Sequence, residues 1–202
     1  MLICLPMNKH LPPPTVSEAL AGMTGRRWTV AEIEAMTRKG IIREKERFEL
    51  LHGEIRLMSP KGNHHEPLMA ALNLYFARTL PANVMFIQET TFRLTANSFV
   101  EPDFLFYPKG VLYKEIKPSS VLLVGEVSDT SLSYDIGRKA ALYAMFGIPE
   151  LWVFNAAKLV THVFREPAEG GYLEKKIVPA GGKLALPYAP RRILRLSKLE
   201  RL

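Results

Sequence analysis

Two acidic residues stand where isolated acids are costly. Glu126 lies inside Val121-Leu-Leu-Val-Gly-Glu-Val127, a run apolar enough for a central strand, and Asp103 follows Pro102 within the equally apolar stretch Val100 to Tyr107. A lone buried carboxylate is strongly destabilising unless something compensates its charge. If the two strands are neighbours, their acids can share a divalent cation, which removes the penalty and creates a Lewis acid. The plainer alternative is that each acid pairs with an arginine or caps a turn.

A third residue bears on that choice. On a helix from about Asp135 to Phe146, taken at about 100° per residue, Ile136, Ala140 and Tyr143 mark a buried arc that Leu142 and Phe146 widen, and Lys139 falls inside it. A lysine on a buried face needs an anionic partner. The helix begins a few residues after Glu126, so its inner face packs back across the end of that strand, within reach of both carboxylates. A local i,i+4 pair between Asp135 and Lys139 competes with that reach. Ser128, two residues past Glu126, shares its face on an extended chain.

The elements that must position these residues can be read in outline. Thr29, with Glu32 three residues on, fits the N-cap of a helix running to about Lys39 and ending at Gly40. Phe48 to Leu51 and Glu54 to Met58 form two short strands across the turn His52-Gly53, and a loop follows from Ser59 to Asn63. Leu68, Leu72, Tyr75, Phe76 and Leu80 recur at helical spacing from Glu66 to Leu80. Extended segments are expected at Val84 to Leu94, Val100 to Tyr107, Val121 to Val127, Leu151 to Phe154, Leu159 to Phe164 and Tyr172 to Val178. The order implies α+β, or α/β with a mixed sheet. Trp152 and Tyr143 read as core aromatics.

With 202 residues, 48% hydrophobic and 23% charged, the chain suits one domain. We expect it at residues 26–202, behind a loosely ordered arm at 1–25. The single cysteine, Cys4, excludes an internal disulfide, a zinc ribbon and a dithiol redox motif, which suits the cytoplasm. Met1 to Pro14 lack the features of a secretory signal, and no run approaches the roughly 18 apolar residues of a membrane helix. A net charge of +7 and a pI near 9.5 admit an anionic partner. Arg191, Arg192, Arg195, Lys198 and Arg201 are the densest basic stretch; with Ile193, Leu194, Leu196 and Leu199 between them, they read as a solvated or docked edge element or as a nucleic-acid patch.

Pro102-Asp103, Glu126 and Ser128, where a lysine is usual, together resemble the PD-(D/E)xK nuclease superfamily with its lysine displaced. The match is closer to the Uma-two family of restriction endonuclease-like proteins, from about Thr29 to Arg165. It runs through Phe48-Glu-Leu-Leu-His-Gly-Glu-Ile55, Met58-Ser-Pro60 with His65, Pro102-Asp103, Glu126-Val-Ser-Asp-Thr-Ser131, Tyr134-Asp135 with Lys139, and Tyr143 with Gly147-Ile-Pro-Glu-Leu-Trp152. The resemblance implies a restriction endonuclease-like core, with a central mixed sheet flanked by helices behind an N-terminal helix and hairpin. It also implies a homodimer, and a lysine that has migrated to the helix. Asn155 departs from the family's usual aspartate and reads as a turn residue.

The expected activity is metal-dependent hydrolysis of phosphodiester bonds in DNA, with Asp103, Glu126 and the Val127 carbonyl holding Mg²⁺, for which Mn²⁺ substitutes. Lys139 would orient the attacking water or stabilise the transition state. Ser128 and Asp135 support the site. His65, or else His64, contacts phosphate or is structural, and Glu54 is either a site acid or a strand-surface acid. No organic cofactor or membrane is expected. The alternatives are a catalytically silent, dimeric nucleic-acid-binding or scaffold protein that keeps the fold, or another metal-dependent hydrolase.

Overall fold

Thr29 and Glu32 cap each other at the start of α1 (Val30–Arg38): the Thr29 hydroxyl accepts from the Glu32 N–H at 3.2 Å, and the Glu32 carboxylate accepts from the Thr29 N–H at 2.9 Å. This box opens the computed structural model, which describes residues 26–43 and 46–200. The arm expected at 1–25 and Arg201 of the basic stretch lie outside the described residues.

After α1, strands β1 (Phe48–Leu51) and β2 (Glu54–Leu57) form a hairpin. Its two turn residues, His52 and Gly53, have φ of 50° and 82°, as a tight two-residue turn demands. A Cβ on Gly53 would come within 2.9 Å of the Trp28 nitrogen, so glycine is also needed for close packing. With β4 (Phe92–Thr95) and β5 (Ser98–Val100) the hairpin makes an antiparallel sheet, ordered β2-β1-β5-β4. Val30 and Ile33 of α1 pack on Phe48, Leu50 and Phe99 of this sheet.

The second sheet contains β3 (Val84–Gln88), β6 (Phe104–Pro108), β7 (Leu123–Ser128), β8 (Glu150–Asn155), β9 (Val160–Ala168) and β10 (Gly171–Val178), ordered β10-β9-β8-β7-β6-β3. Only β7 and β8 run parallel, so the sheet is mixed. A parallel pair needs a crossover. Here it is a helix, α3, built from Leu132–Tyr134, a π-helical stretch Asp135–Lys139, and Ala140–Met145. One sheet face packs Trp152, Phe154, Phe104 and Phe106 against α2 (His65–Thr79); the other packs Leu105, Val124, Leu151 and Val153 against α3. A short pair, β11 (Leu184–Leu186) and β12 (Ala189–Leu194), closes the chain. The architecture is thus α+β, a central mixed sheet flanked by helices.

Three expectations need correction. Val84 to Leu94 is two strands in different sheets, broken at Glu89, whose φ is 45°. Val100 to Tyr107 is also divided, because Pro102 offers no N–H to a ladder and the chain changes sheets across Glu101-Pro102-Asp103. The Asp135 helix starts earlier, at Leu132, and turns more widely than an α-helix through the residues whose facing matters most. The basic stretch mostly belongs to β12 and the turn after it, with Leu194 and Leu196 buried and Arg191 and Arg192 exposed. Among the described residues, no helix is long and apolar enough to cross a membrane.

Candidate active site

β6 pairs with β7 only from Phe104, opposite Gly125, onward, so Glu126, Val127 and Ser128 run past its beginning. Asp103 fills the gap: its Oδ2 accepts the Val127 N–H at 2.7 Å, replacing the missing ladder bond. The N–H and C=O of one strand residue point to the same side. The Val127 carbonyl therefore faces Asp103, while the Ser128 carbonyl turns the other way and accepts from Ala156 at 2.8 Å.

Glu126 shares its face with Val124 and Ser128, toward α3. Its Oε1 accepts from the Tyr143 hydroxyl at 2.6 Å and lies 2.9 Å from Lys139 Nζ. Lys139 is buried, and its second partner is Glu49 of β1, with Nζ 2.8 Å from Oε1. Glu49 is fully engaged: Oε1 also accepts the Glu101 N–H at 3.3 Å, and Oε2 accepts the Tyr134 hydroxyl at 2.9 Å. The hydroxyls of Ser128 and Ser131 donate to Asp135 Oδ2 at 2.7 and 2.5 Å. Lys139 thus bridges the two sheets instead of pairing with Asp135. The π turn, closed by the Ala140 N–H to Asp135 O, lets both residues face inward.

The electrostatics follow from burial. Glu126 is pushed up to about 8 by burial and by the charges of Asp103, Asp135 and Glu49, against the pull of Lys139. Burial alone would depress Lys139, but Glu126, Glu49 and Asp135 outweigh it and hold the ammonium well above its usual value. Asp135 is raised, chiefly by burial. Four buried carboxylates, Glu49, Asp103, Glu126 and Asp135, surround one buried ammonium, so the cluster is short of positive charge.

These side chains line a cleft of about 220 Å³. A larger hollow of about 540 Å³ lies beside α1, walled by Val30, Ile33 and Phe92 and by the ion-paired Arg93 and Glu34, and none of the four buried acids lines it. His65 is buried at the cleft with Nε2 3.3 Å from Asp103 Oδ1, and its Nδ1 has no hydrogen-bond partner. His64 is exposed beside Asp129, so of the two histidines it is His65 that faces inward. A Cβ on Gly62 would strike the Asp129 carboxylate, so the loop packs closely on the residue that follows β7.

The structure therefore brings together Asp103, Glu126, Val127, Ser128, Asp135, Lys139 and His65. Glu54 stays outside: it is exposed on β2 and paired with Arg27 at 2.9 Å. The hairpin's contribution is Glu49, which sequence reasoning missed together with Tyr134 and the polar role of Tyr143. Asn155 ends β8, its Oδ1 accepting the Lys158 N–H at 3.0 Å, as a turn residue should.

Among the described residues, no three His, Cys, Asp or Glu side chains form a ready cage for a metal. Magnesium does not require one, since it keeps several waters and takes one or two carboxylates. Asp103 Oδ1, the Val127 carbonyl and Glu126 Oε2, which takes no hydrogen bond from the described residues, are hard oxygen donors in an electron-rich cleft. The donor set fits such a cation.

In fold, the chain is similar to a protein from Anabaena variabilis ATCC 29413 whose crystal structure is described as that of a putative nuclease belonging to DUF820. The TM-score is 0.66 at 11% identity, covering 84% of this chain and 95% of that one. At that identity the likeness speaks to fold alone. No curated protein matches the chain in sequence. A family model described as "Putative restriction endonuclease" matches residues 30–196, a span that includes every residue of the cleft, and the chain belongs to that family, Uma2.

Proposed function

We propose that the protein is an endonuclease that hydrolyses phosphodiester bonds in DNA with Mg²⁺, or Mn²⁺ in its place, held by Asp103, Glu126 and the Val127 carbonyl. The observation that carries this reading is Lys139, an ammonium buried against Glu126 and Glu49 beside a third carboxylate, Asp103, that caps the Glu126 strand. Family and fold support a nuclease; the donor set supports the cation.

When bound, the cation supplies Lewis acidity and neutralises charge at the phosphate. The chain's own residues hold everything else in place. The Val127 N–H fixes Asp103 so that Oδ1 faces the cleft, and His65 bears on that same oxygen. Tyr143 and Lys139 fix Glu126 through Oε1 and leave Oε2 available. Lys139 is positioned to stabilise charge on the phosphate oxygens or to orient the attacking water. Asp135, locked by Ser128 and Ser131, adds to Glu126 and Glu49 in holding that lysine charged. The working unit of this reading is a homodimer, as the resemblance implies, in the cytoplasm, which the single cysteine suits, and light scattering measures its mass.

The test is cleavage of plasmid and single-stranded DNA in Mg²⁺ or Mn²⁺, beside Asp103→Ala and Lys139→Met. Loss of cleavage in both variants and with a chelator is expected. Equal cleavage by all three proteins points to a contaminant and sinks the proposal, and absence of cation binding by calorimetry points to a silent scaffold.

A further inference from the structure

Four cationic side chains line the cleft: Arg47, Arg56, Lys61 and Lys139. Three are matched by carboxylates. Lys139 sits on Glu49 and Glu126, Lys61 on Glu66 and Glu89, and Arg47 lies 3.6 Å from Glu89 and 3.8 Å from Glu101. Arg56 is different. Among the described residues it has no acidic partner, although it stands directly opposite Glu49 in the β1–β2 register, where opposite charges on one face ordinarily pair. Glu49 is not available, because Lys139, the Glu101 N–H and the Tyr134 hydroxyl already occupy its two oxygens. The guanidinium is instead stacked on the Tyr134 ring, with its carbon 3.9 Å from the ring centroid. Stacking uses the face of the guanidinium and leaves its in-plane N–H donors unspent. The chain therefore sets a stacked, charged fork at a cleft whose other lysine and arginine side chains, among the described residues, are all ion-paired.

We infer that Arg56, held flat by Tyr134, anchors a backbone phosphate of the nucleic acid next to the phosphate presented to the buried acids. The inference rests on the phosphodiester reading above and deepens it. A planar fork matches two phosphate oxygens better than a point charge does. An anionic polymer entering a cleft rich in carboxylates also needs such a foothold. Tyr134 links the foothold to the site, since the ring that carries Arg56 also holds Glu49, which holds Lys139.

The test is fluorescence anisotropy of a short fluorescein-labelled DNA duplex, with Ca²⁺ replacing Mg²⁺, across a series of KCl concentrations, beside cleavage of the same duplex in Mg²⁺. Arg56→Ala should weaken binding about tenfold and make the slope of log affinity against log salt shallower by roughly 0.9. Lys175→Ala, a change at an exposed position of the edge strand β10, outside the cleft lining, should bind as wild type does. Arg56→Lys keeps the charge without the fork and should fall between. Tyr134→Leu, which removes the stack, should fall with it, whereas Tyr134→Phe, which keeps the stack but frees a Glu49 oxygen opposite Arg56, should retain more affinity than Tyr134→Leu. Wild-type affinity and salt slope in Arg56→Ala would overturn the anchor while leaving hydrolysis standing if cleavage persists. Arg56-dependent binding without cleavage supports the anchor and removes the hydrolysis. A wild-type protein that binds no DNA overturns both.

Discussion

Lys139 is the residue on which the cleft depends, because its ammonium serves two buried carboxylates at once. Removing one partner of a buried ion pair leaves the others uncompensated, so Lys139→Met should cost about 3–5 kcal/mol in urea unfolding at neutral pH. Adding Glu49→Gln to that variant should restore part of the stability and none of the cleavage. Glu126 sets a pH dependence of its own. Its folded value lies near 8, above the ordinary carboxylate value, so between the two the unfolded chain has already released a proton that the fold retains. The metal-free protein should therefore lose stability as pH rises through that window. Divalent cation, by displacing the proton, should flatten the trend, and Glu126→Gln should abolish it. Melting temperatures across a pH series, with and without Mg²⁺, measure all three.

Among the elements, α3 owes its geometry to the wide turn at Asp135–Lys139. Gly137 lies on the outside of that turn, where an added methyl would meet nothing within 4 Å, so Gly137→Ala should be tolerated and should stabilise the helix by about 0.5–1 kcal/mol. Deleting Gly137 should instead tighten the turn and swing one side of the helix by about 100° relative to the other. Helix content by circular dichroism should survive that deletion, and cleavage should not. The physical origin of each signal decides what the sequence makes legible. The α1 cap is visible because Thr29 and Glu32 act on each other locally. The Glu126 strand is visible because an acid in an apolar run has few innocent explanations. Glu49 is hidden for the opposite reason: Phe48-Glu49-Leu50 alternates like a strand with one wet face, and only tertiary packing reveals that Tyr134 and Lys139 cover that face. The divisions of Val84 to Leu94 and Val100 to Tyr107 are equally non-local, since each depends on which sheet a strand joins. The π turn leaves no trace in residue type, because Lys139 reads as inward-facing under either helical period.

At the scale of the whole molecule, the site forms where two sheets meet: Glu49 comes from the four-stranded sheet, and Glu126, with Asp103 beside it, from the six-stranded one. A cation held by Asp103 and Glu126 binds the folded chain alone, so saturating Mg²⁺ at about 100 times its dissociation constant should add about 2.7 kcal/mol to the wild type. Asp103→Ala should gain far less in the same thermal melts. One passage between the sheets is the three-residue step Glu101-Pro102-Asp103, tethered at one end by Glu49 and at the other by Val127. Such a step behaves as a spacer of set length, with no slack to absorb a longer chain. The longer loop between β6 and β7 carries none of the four buried acids, whereas one residue added between Val100 and Phe104 would carry Asp103 away from its strand. A length on which the site depends is thus set by a connection with no regular structure.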